Sequence, residues 1–229
     1  MELTVCTAQK KEKTEFAVRH VFCAGYAGRN QAKVKEHIDE LAKIGVPAPL
    51  RTPTVYPVSP YLFTNERTVT VQGKQTSGEV EFVLFLQEDK IWVSIGSDQT
   101  DRELETSNIG KSKQMCIKPV GNVVWNYAEV KDHWDSLILR SWITDEKGKR
   151  LYQEGAVTAL LPVAELIAVI RRETKASLDG AVIYSGTVPI QEGFVYAKKW
   201  ELELEDPVLD RKITHSYEVA VLAEEMVDA

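Results

Sequence analysis

The chain has 229 residues, of which 44% are hydrophobic and 27% charged, the balance of an ordinary globular protein that can bury a sizeable core. Its formal net charge is -6 and its isoelectric point is near 5.4, so it lacks the basic surface that nucleic-acid binding requires, and nucleic acid is not an expected partner. No apolar run approaches the ~18 residues of a membrane span, and the N-terminal stretch lacks the apolar core of a signal peptide, so we expect a cytoplasmic protein with no membrane partner.

The N-terminal part of the sequence predicts two strands and a helix. Leu3–Cys6 and Phe16–Cys23 are strand-like patches that could pair as a hairpin across a polar stretch. Asn30 is a good helix N-cap residue, and apolar residues recur after it at helical spacing as far as Ile44. The Gly-Val-Pro sequence that follows is a helix stop. A helix that ends near Ile44 is therefore expected.

A proline-rich stretch over 47–60 is too polar and too interrupted for a central strand, and it indicates an extended connector. It divides the chain into an expected N-terminal subdomain, 1–60, and a β-rich core, 61–229. The core has many strand patterns and one further helix pattern near 161–170. Many strands and few helices predict a β-rich α+β fold with a rolled sheet or barrel.

A strong predicted strand, Glu79–Leu86, begins with two carboxylates. Residues two apart on a strand share a face and lie roughly 6.5 Å apart, so Glu79 and Glu81 point the same way. The residues after them are apolar on both faces, which indicates a buried strand. Neighbouring buried carboxylates repel each other unless a positive charge joins them, and divalent cations prefer carboxylate oxygens. The plainer alternative is a solvated strand edge with two exposed glutamates.

The next predicted strand, Ile91–Ile95, adds a third carboxylate, because Asp98 follows it closely. If the two strands form a hairpin, the end of the second lies beside the start of the first, and Asp98 comes near the two glutamates. Three carboxylates make a plausible Mg²⁺ or Mn²⁺ site with positions left for water and substrate. Arg102 adds a fixed cation that suits a carboxylate ligand. A polar loop with a local Asp–Arg pair is the alternative.

His37 and Glu40 are three residues apart on the predicted helix and are therefore neighbours on its surface. A carboxylate beside an imidazole raises its basicity and fixes its orientation, as a general base that activates water requires. Solvated helices also carry His and Glu at this spacing, so the pair alone does not establish a catalytic site.

Together these residues resemble the fumarylacetoacetate hydrolase superfamily, from about Cys23 to the end of the chain and in the family's order. The resemblance rests on short motifs: Gly28-Arg29-Asn30 followed by His37 and Glu40, Glu79-Val80-Glu81, Ser97 to Arg102, Lys111-Ser112-Lys113 before Pro119-Val120-Gly121, Gln153-Glu154-Gly155, and Gly186-Thr187-Val188. The sequence looks closer still to a bacterial family of unknown function that is related to this superfamily.

The resemblance implies an α+β, β-rich fold, a fumarylacetoacetate hydrolase-like rolled mixed β-sheet or barrel with few helices, and a homodimer. It also implies a set of site residues, which are Glu79, Glu81 and Asp98 for a Mg²⁺ or Mn²⁺ ion, His37, Glu40 and Lys113 for catalysis, and Arg29, Arg102, Gln153 and Thr187 for substrate binding.

Some positions depart from the family pattern. Ser97 stands where Asn is usual, and Val188 replaces a Pro. Asp101 is an additional acid that could compete for the place of the third metal ligand. The lysine register is shifted by one, so Lys111 and Lys113 are both candidates, and Lys113 is preferred. These departures affect the expected substrate more than the expected metal site.

The expected function is that of a metal-dependent hydrolase that cleaves a C–C bond in a 2-oxo acid or an acylpyruvate-type small molecule. One alternative is a hydratase, decarboxylase or isomerase of the same fold that uses the metal without the His–Glu pair. Another is a non-catalytic ligand-binding module, which predicts no bound metal and no stabilisation by 2-oxo acids.

Overall fold

The computed structural model describes residues 1–7, 10–43 and 48–222, without the side chains of His37 and Leu41. The strands in this part of the chain are β1 (Glu2–Cys6), β2 (Lys11–Glu15), β3 (His20–Gly25), β4 (Thr54–Val58), β5 (Phe63–Thr64), β6 (Thr68–Val71), β7 (Thr76–Ser77), β8 (Val80–Gln87), β9 (Lys90–Ser97), β10 (Thr100–Asp101), β11 (Lys118–Pro119), β12 (Val123–Asn126), β13 (Ile138–Asp145), β14 (Gly148–Ala156), β15 (Ala181–Tyr184), β16 (Lys199–Asp206) and β17 (Arg211–Val221). The α-helices are α1 (Gln31–Lys43), α2 (Arg102–Glu105), α3 (Ile109–Gln114), α4 (Tyr127–Val130) and α5 (Val163–Glu173).

Two mixed sheets form the body of the molecule. The larger has eight strands in the order β2-β1-β12-β9-β8-β15-β3-β4, and the smaller has five in the order β14-β13-β16-β17-β6. Parallel pairs occur between β1 and β12, β3 and β15, and β6 and β17, while the other pairs in these sheets are antiparallel. The predicted β-rich fold with few helices is confirmed. None of the helices in the described residues is long and apolar enough to cross a membrane.

The main core lies between the two sheets, where β8 and β9 contact β13, β16 and β17. Phe82 and Leu84 of β8 pack in one cluster with Leu139 of β13 and Trp200 of β16. The apolar face of α5 joins the same cluster. A second cluster, which includes Val83, covers the opposite face of β8. Both faces of this strand are therefore buried, as its sequence predicts.

The β8–β9 hairpin forms in the expected register. Val80 pairs with Ser97 at one end and Gln87 with Lys90 at the other, across a two-residue turn. Gly96 leaves room for close packing, because a Cβ atom there would lie 2.8 Å from the carbonyl oxygen of Pro119. The open end of the hairpin holds the acidic residues that the sequence singles out.

The predicted N-terminal hairpin is wrong in its second strand. The partner of β1 is β2, with Glu2 opposite Glu15 and Cys6 opposite Lys11, whereas β3 lies between β15 and β4. The charged sequence of β2 suits its place at the sheet edge, where it discourages pairing with other chains. The more apolar β3 is buried inside the sheet instead.

The N-cap of α1 is present, since Asn30 Oδ1 accepts hydrogen bonds from the backbone N–H groups of Ala32 and Lys33 at 3.1 and 3.2 Å. The predicted helix stop at 45–47 lies outside the described residues. Part of the proline-rich connector forms β4, an edge strand. The strands β1, β3 and β4, from before residue 60, lie in the same sheet as β8, from after it. The expected N-terminal subdomain and core therefore share one sheet.

One buried histidine gives the fold a predicted acid sensitivity. His215 on β17 is 6% exposed, and its Nε2 has no hydrogen-bond partner among the described residues. Burial, with a smaller contribution from Arg67, lowers the pKa of His215 to about 4. The unfolded chain, with a histidine pKa of about 6.5, therefore binds more protons, and stability falls as the pH drops from about 6.5 towards 4.

Between pH 7 and pH 5, we expect the free energy of unfolding to fall by about 2 kcal/mol more in the wild type than in His215→Gln, which has no imidazole to protonate. Urea unfolding of both proteins at the two pH values measures this difference. Equal losses in the wild type and the variant would show that His215 does not titrate in this way.

Candidate functional site

Three carboxylates converge at the open end of the β8–β9 hairpin. Glu79 immediately precedes β8, Glu81 lies within it, and Asp98 follows β9. Each can offer one oxygen such that all three oxygens lie within 4.8 Å of one another. Asp98 and Glu81 are buried, and the Glu79 side chain is 18% exposed. The hairpin thus brings together the three residues that the sequence assigns to a metal.

Three cations neutralise this cluster. Lys113 Nζ lies 2.6 Å from Asp98 Oδ2 and 3.9 Å from Glu79 Oε2. Lys118 Nζ lies 3.1 Å from Asp98 Oδ1. Arg102 contacts Glu79 Oε1 at 3.0 Å and Glu105 at 2.8 Å. Asp98 therefore has a cation on each oxygen, and Glu79 is shared between a lysine and an arginine.

Glu81 is the carboxylate with the least compensation. Its Oε2 accepts a hydrogen bond from the Gly186 backbone N–H at 2.9 Å. Burial raises the pKa of Glu81 well above its usual range, and the charge of Asp98 raises it further. Burial also acts against ionised Asp98, but Lys113 and Lys118 outweigh it and lower the pKa of Asp98 to about 2. A bound cation would favour the ionised form of Glu81.

The donor set fits a hard divalent cation. All three groups are carboxylates, which suit Mg²⁺ and Mn²⁺ rather than softer metals that prefer thiolate or imidazole. Three protein ligands leave coordination positions for water or a substrate. Glu81 has no cation of its own among the described residues, unlike Glu79 and Asp98, so a bound metal ion would supply the charge that its ionised form needs. Glu79, Glu81 and Asp98 can therefore hold such an ion.

The structure separates the alternatives that the sequence left open. The Asp101 carboxylate caps α2 by accepting a hydrogen bond from the Leu104 N–H at 2.9 Å. Lys111 is exposed, whereas Lys113 is buried and contacts Asp98. The structure therefore places Asp98 and Lys113, rather than Asp101 and Lys111, in the carboxylate cluster.

Asp101→Asn is expected to leave Mg²⁺ affinity and stability nearly unchanged, because asparagine is an equally good N-cap residue. Asp98→Asn, which removes a carboxylate oxygen from the cluster, should lose Mg²⁺ binding. Isothermal titration with MgCl₂ compares the two variants. Loss of binding in Asp101→Asn would identify Asp101 as a ligand.

Lys118 is a site residue that the sequence analysis missed. Its ammonium group is fully buried and donates to the carbonyl oxygens of Gln99, Lys113 and Cys116 at 2.6, 2.5 and 3.1 Å, in addition to its contact with Asp98. A signal was present, because Lys118 is the only charged residue in the apolar run 115–120. A lysine within such a run is costly to bury without a carboxylate partner.

Of the four predicted substrate-binding residues, three line the cavity and one is buried behind its wall. Arg102 and Thr187 line the cavity above the carboxylates, but the Thr187 hydroxyl donates to the Val80 carbonyl oxygen at 2.7 Å. Arg29 also lines the cavity, and its guanidinium forms an exposed bidentate pair with Asp135. Gln153 is fully buried behind the wall, where its amide binds backbone and side-chain groups of β8 and of the segment after β15.

The predicted catalytic pair lies on α1. The first turns of this helix, as far as Val34, line the cavity. Glu40 is exposed and lies about 9 Å further along the helix axis. The His37 side chain lies outside the described part of the structure. The structure therefore brings Lys113 to the carboxylates, whereas Glu40 does not line the cavity.

A cavity of about 1530 Å³ opens above the carboxylates. Four aromatic side chains line it, which are Tyr26, Tyr56, Phe194 and Tyr196. The backbone of Tyr26 is left-handed, with φ of 55°, and burial raises the pKa of its hydroxyl to about 12, so the hydroxyl remains a proton donor at neutral pH. The sequence analysis assigned none of these residues to the site, because they come from three segments that are distant along the chain.

A buried hydroxyl network supports the carboxylates from the second sheet. The Tyr217 hydroxyl on β17 lies 2.8 Å from both Ser97 Oγ and Gln99 Oε1. Ser97 Oγ in turn accepts a hydrogen bond from the Glu79 backbone N–H at 3.1 Å. The serine that departs from the family pattern therefore links the two strands that carry the carboxylates.

The architecture is the fumarylacetoacetate hydrolase fold, as three solved structures show. A fumarylacetoacetate hydrolase family protein from yeast, ynq8, is 16% identical with a TM-score of 0.62, over 89% of this chain and 94% of that one. Cg1458 is 15% identical with a TM-score of 0.65, over 93% and 84% of the two chains. A 2-keto-3-deoxy-D-arabinonate dehydratase complexed with magnesium and 2,5-dioxopentanoate is 19% identical with a TM-score of 0.58, over 88% and 73%.

A comparison with models of protein families assigns the chain to a more specific group than the fold does. Residues 24–217 match the model of the family described as "Protein of unknown function (DUF2848)", and the chain belongs to that family. No curated protein matches the sequence.

Proposed function

We propose that this protein is a metal-dependent enzyme that hydrolyses a C–C bond in a 2-oxo acid or an acylpyruvate-type small molecule. The observation that carries the proposal is the carboxylate cluster at the base of a large cavity, with oxygens within 4.8 Å of one another and with buried cations around it. Titratable groups with perturbed pKa values that cluster within a cavity are candidates for a functional site.

Glu79, Glu81 and Asp98 would hold Mg²⁺ or Mn²⁺, which when bound would supply a Lewis acid for the 2-oxo and carboxylate oxygens of the substrate. The structurally similar dehydratase that was solved with magnesium and 2,5-dioxopentanoate supports this choice of ion and ligand class.

Arg102 and Lys113 supply fixed positive charge at the cavity floor. Arg102 is almost fully buried at the cavity floor, where Glu79 and Glu105 hold its guanidinium in place, so it supplies a positive charge that can attract a substrate carboxylate. Burial opposes the charged form of Lys113, but Asp98 and Glu79 raise its pKa well above the usual value. Lys113 therefore remains an ammonium group, which can stabilise negative charge on the reacting substrate.

In the proposed hydrolysis, the oxygen of a water molecule adds to the acyl carbonyl carbon of an acylpyruvate. The bond between that carbon and the neighbouring methylene then breaks, and its electron pair moves onto the pyruvyl fragment, which takes up a proton. The products are a carboxylic acid and pyruvate. His37, oriented by Glu40, is the proposed base for the water.

The second candidate is a hydratase, decarboxylase or isomerase of the same fold that uses the metal without the His–Glu pair. The distance of Glu40 from the cavity-lining turns of α1 favours this candidate. His37→Ala should then leave turnover largely intact, whereas the hydrolase requires a large loss. The proposal also includes a cytoplasmic homodimer, which light scattering after gel filtration can test.

The test of the function is a turnover assay on metal-stripped protein with a series of acylpyruvates and 2-oxo acids. We expect pyruvate release that depends on added Mg²⁺ or Mn²⁺ and is lost in Lys113→Met. Absence of turnover with every substrate and both metals would contradict an enzymatic role of this site.

A further inference from the structure

We propose that the substrate carries an aromatic or other flat apolar arm, which binds against Phe194, Tyr196 and Tyr56 while its 2-oxo acid head binds at the carboxylates. This inference rests on the proposed function and names the substrate class more narrowly.

The cavity is larger than the head of a simple 2-oxo acid requires. Its volume is about 1530 Å³, whereas pockets for drug-sized ligands are roughly 300–1,000 Å³. A molecule of the size of pyruvate at the floor would leave most of this space to water. A substrate with a bulky second part uses the remainder.

The walls above the floor are apolar and incompletely buried. Phe194 is 42% exposed and Tyr196 is 45% exposed, although both line the cavity. Val188 and Ile190, from the same segment between β15 and β16, extend this apolar wall. Large aromatic side chains left open to solvent in a concave site mark ligand contacts, because covering them releases water from apolar surface.

Two of the rings stand beside the cations of the floor. The Arg102 guanidinium carbon lies 4.2 Å from the centre of the Phe194 ring, and Lys113 Nζ lies 5.9 Å from the centre of the Tyr56 ring. Arg102 and Lys113 contact different oxygens of Glu79. The aromatic surfaces therefore begin where the charged floor ends, so one ligand can contact the floor with its acidic head and the rings with its arm.

Tyr26 adds a wall position that the fold holds in a strained conformation. A bulky residue with a positive φ, here 55°, is uncommon and persists only where the surrounding structure imposes it. Such outliers cluster at ligand sites. Tyr26 is half-buried in the cavity wall, where its ring can contact the arm and its hydroxyl can donate to a polar substituent.

The experiment compares phenylpyruvate with pyruvate, which share one 2-oxo acid head, by calorimetric titration of the Mg²⁺-loaded protein, with oxalate as a head-only ligand. We expect phenylpyruvate to bind at least about tenfold more tightly than pyruvate, since it buries an aromatic ring. Phe194→Ala and Tyr196→Ala should each reduce this ratio while oxalate affinity stays within about twofold of the wild type.

Tyr61→Ala is the matched control, because Tyr61 is 76% exposed and does not line the cavity. It should keep the full preference for phenylpyruvate. The inference would be overturned if the two acids bound equally well, or if the preference for phenylpyruvate survived in both cavity variants. In either case, Mg²⁺-dependent binding of oxalate would still support the proposed function. Failure of oxalate to bind in the presence of Mg²⁺ would overturn the proposed function and this inference together.

Discussion

Glu81→Gln is expected to abolish Mg²⁺-dependent turnover and to weaken Mg²⁺ binding by more than the roughly 10- to 100-fold that loss of an outer-sphere partner costs. The substitution keeps the shape of the side chain and an oxygen that can accept the hydrogen bond from Gly186. It removes the charge that the cation would neutralise. Titration with MgCl₂, followed by calorimetry, measures the loss directly.

The same substitution should not destabilise the metal-free protein. Burial and Asp98 already disfavour the ionised form of Glu81, so a neutral amide suits its surroundings at least as well. Glu146→Gln, at the exposed turn between β13 and β14, is the matched control and should change neither property. Unaltered Mg²⁺ affinity in Glu81→Gln would exclude Glu81 as a ligand.

Lys118→Met is expected to cause the largest loss of stability among the site variants, about 3–5 kcal/mol. The Lys118 ammonium group is fully buried and contacts three backbone carbonyl oxygens as well as Asp98. Removing it takes a donor from each of these acceptors and leaves a buried carboxylate with one cation fewer. Urea unfolding of the metal-free protein measures the change, provided that the m-value is unchanged.

Lys111→Met is the matched control for this prediction. Lys111 is exposed on α3, two residues before Lys113, and substitutions at such positions usually change stability by less than about 0.5 kcal/mol. A loss below about 1 kcal/mol in Lys118→Met would contradict the structural role given to its hydrogen bonds.

The carboxylate cluster could be predicted from the sequence because it depends on local geometry. Glu79 and Glu81 lie on one strand face, and a short turn returns the chain so that Asp98 reaches them. The N-cap at Asn30 is local in the same sense. In each case the residues that interact are close together along the chain, so periodicity and turn chemistry determine their arrangement.

The parts that sequence reasoning missed depend on long-range packing. Local pattern does not reveal that β3 pairs with β15, about 160 residues later, rather than with β1. The same holds for the contact of Tyr217 with Ser97, and for the meeting of Tyr26 and Phe194 in one cavity. These contacts join elements that are far apart along the chain, so they follow from the topology rather than from any short motif.

The most direct test of the central claim is thermal melting of metal-stripped protein with added Mg²⁺ or Mn²⁺, and then with oxalate, which mimics the head of a 2-oxo acid. Ligands that bind only the folded state raise the melting temperature by mass action. We expect a rise with metal in the wild type, a further rise with oxalate only when metal is present, and neither rise in Glu81→Gln. If neither the metal nor oxalate changed the melting temperature of the wild type, the carboxylates would be structural, and a non-catalytic binding module would become the better account.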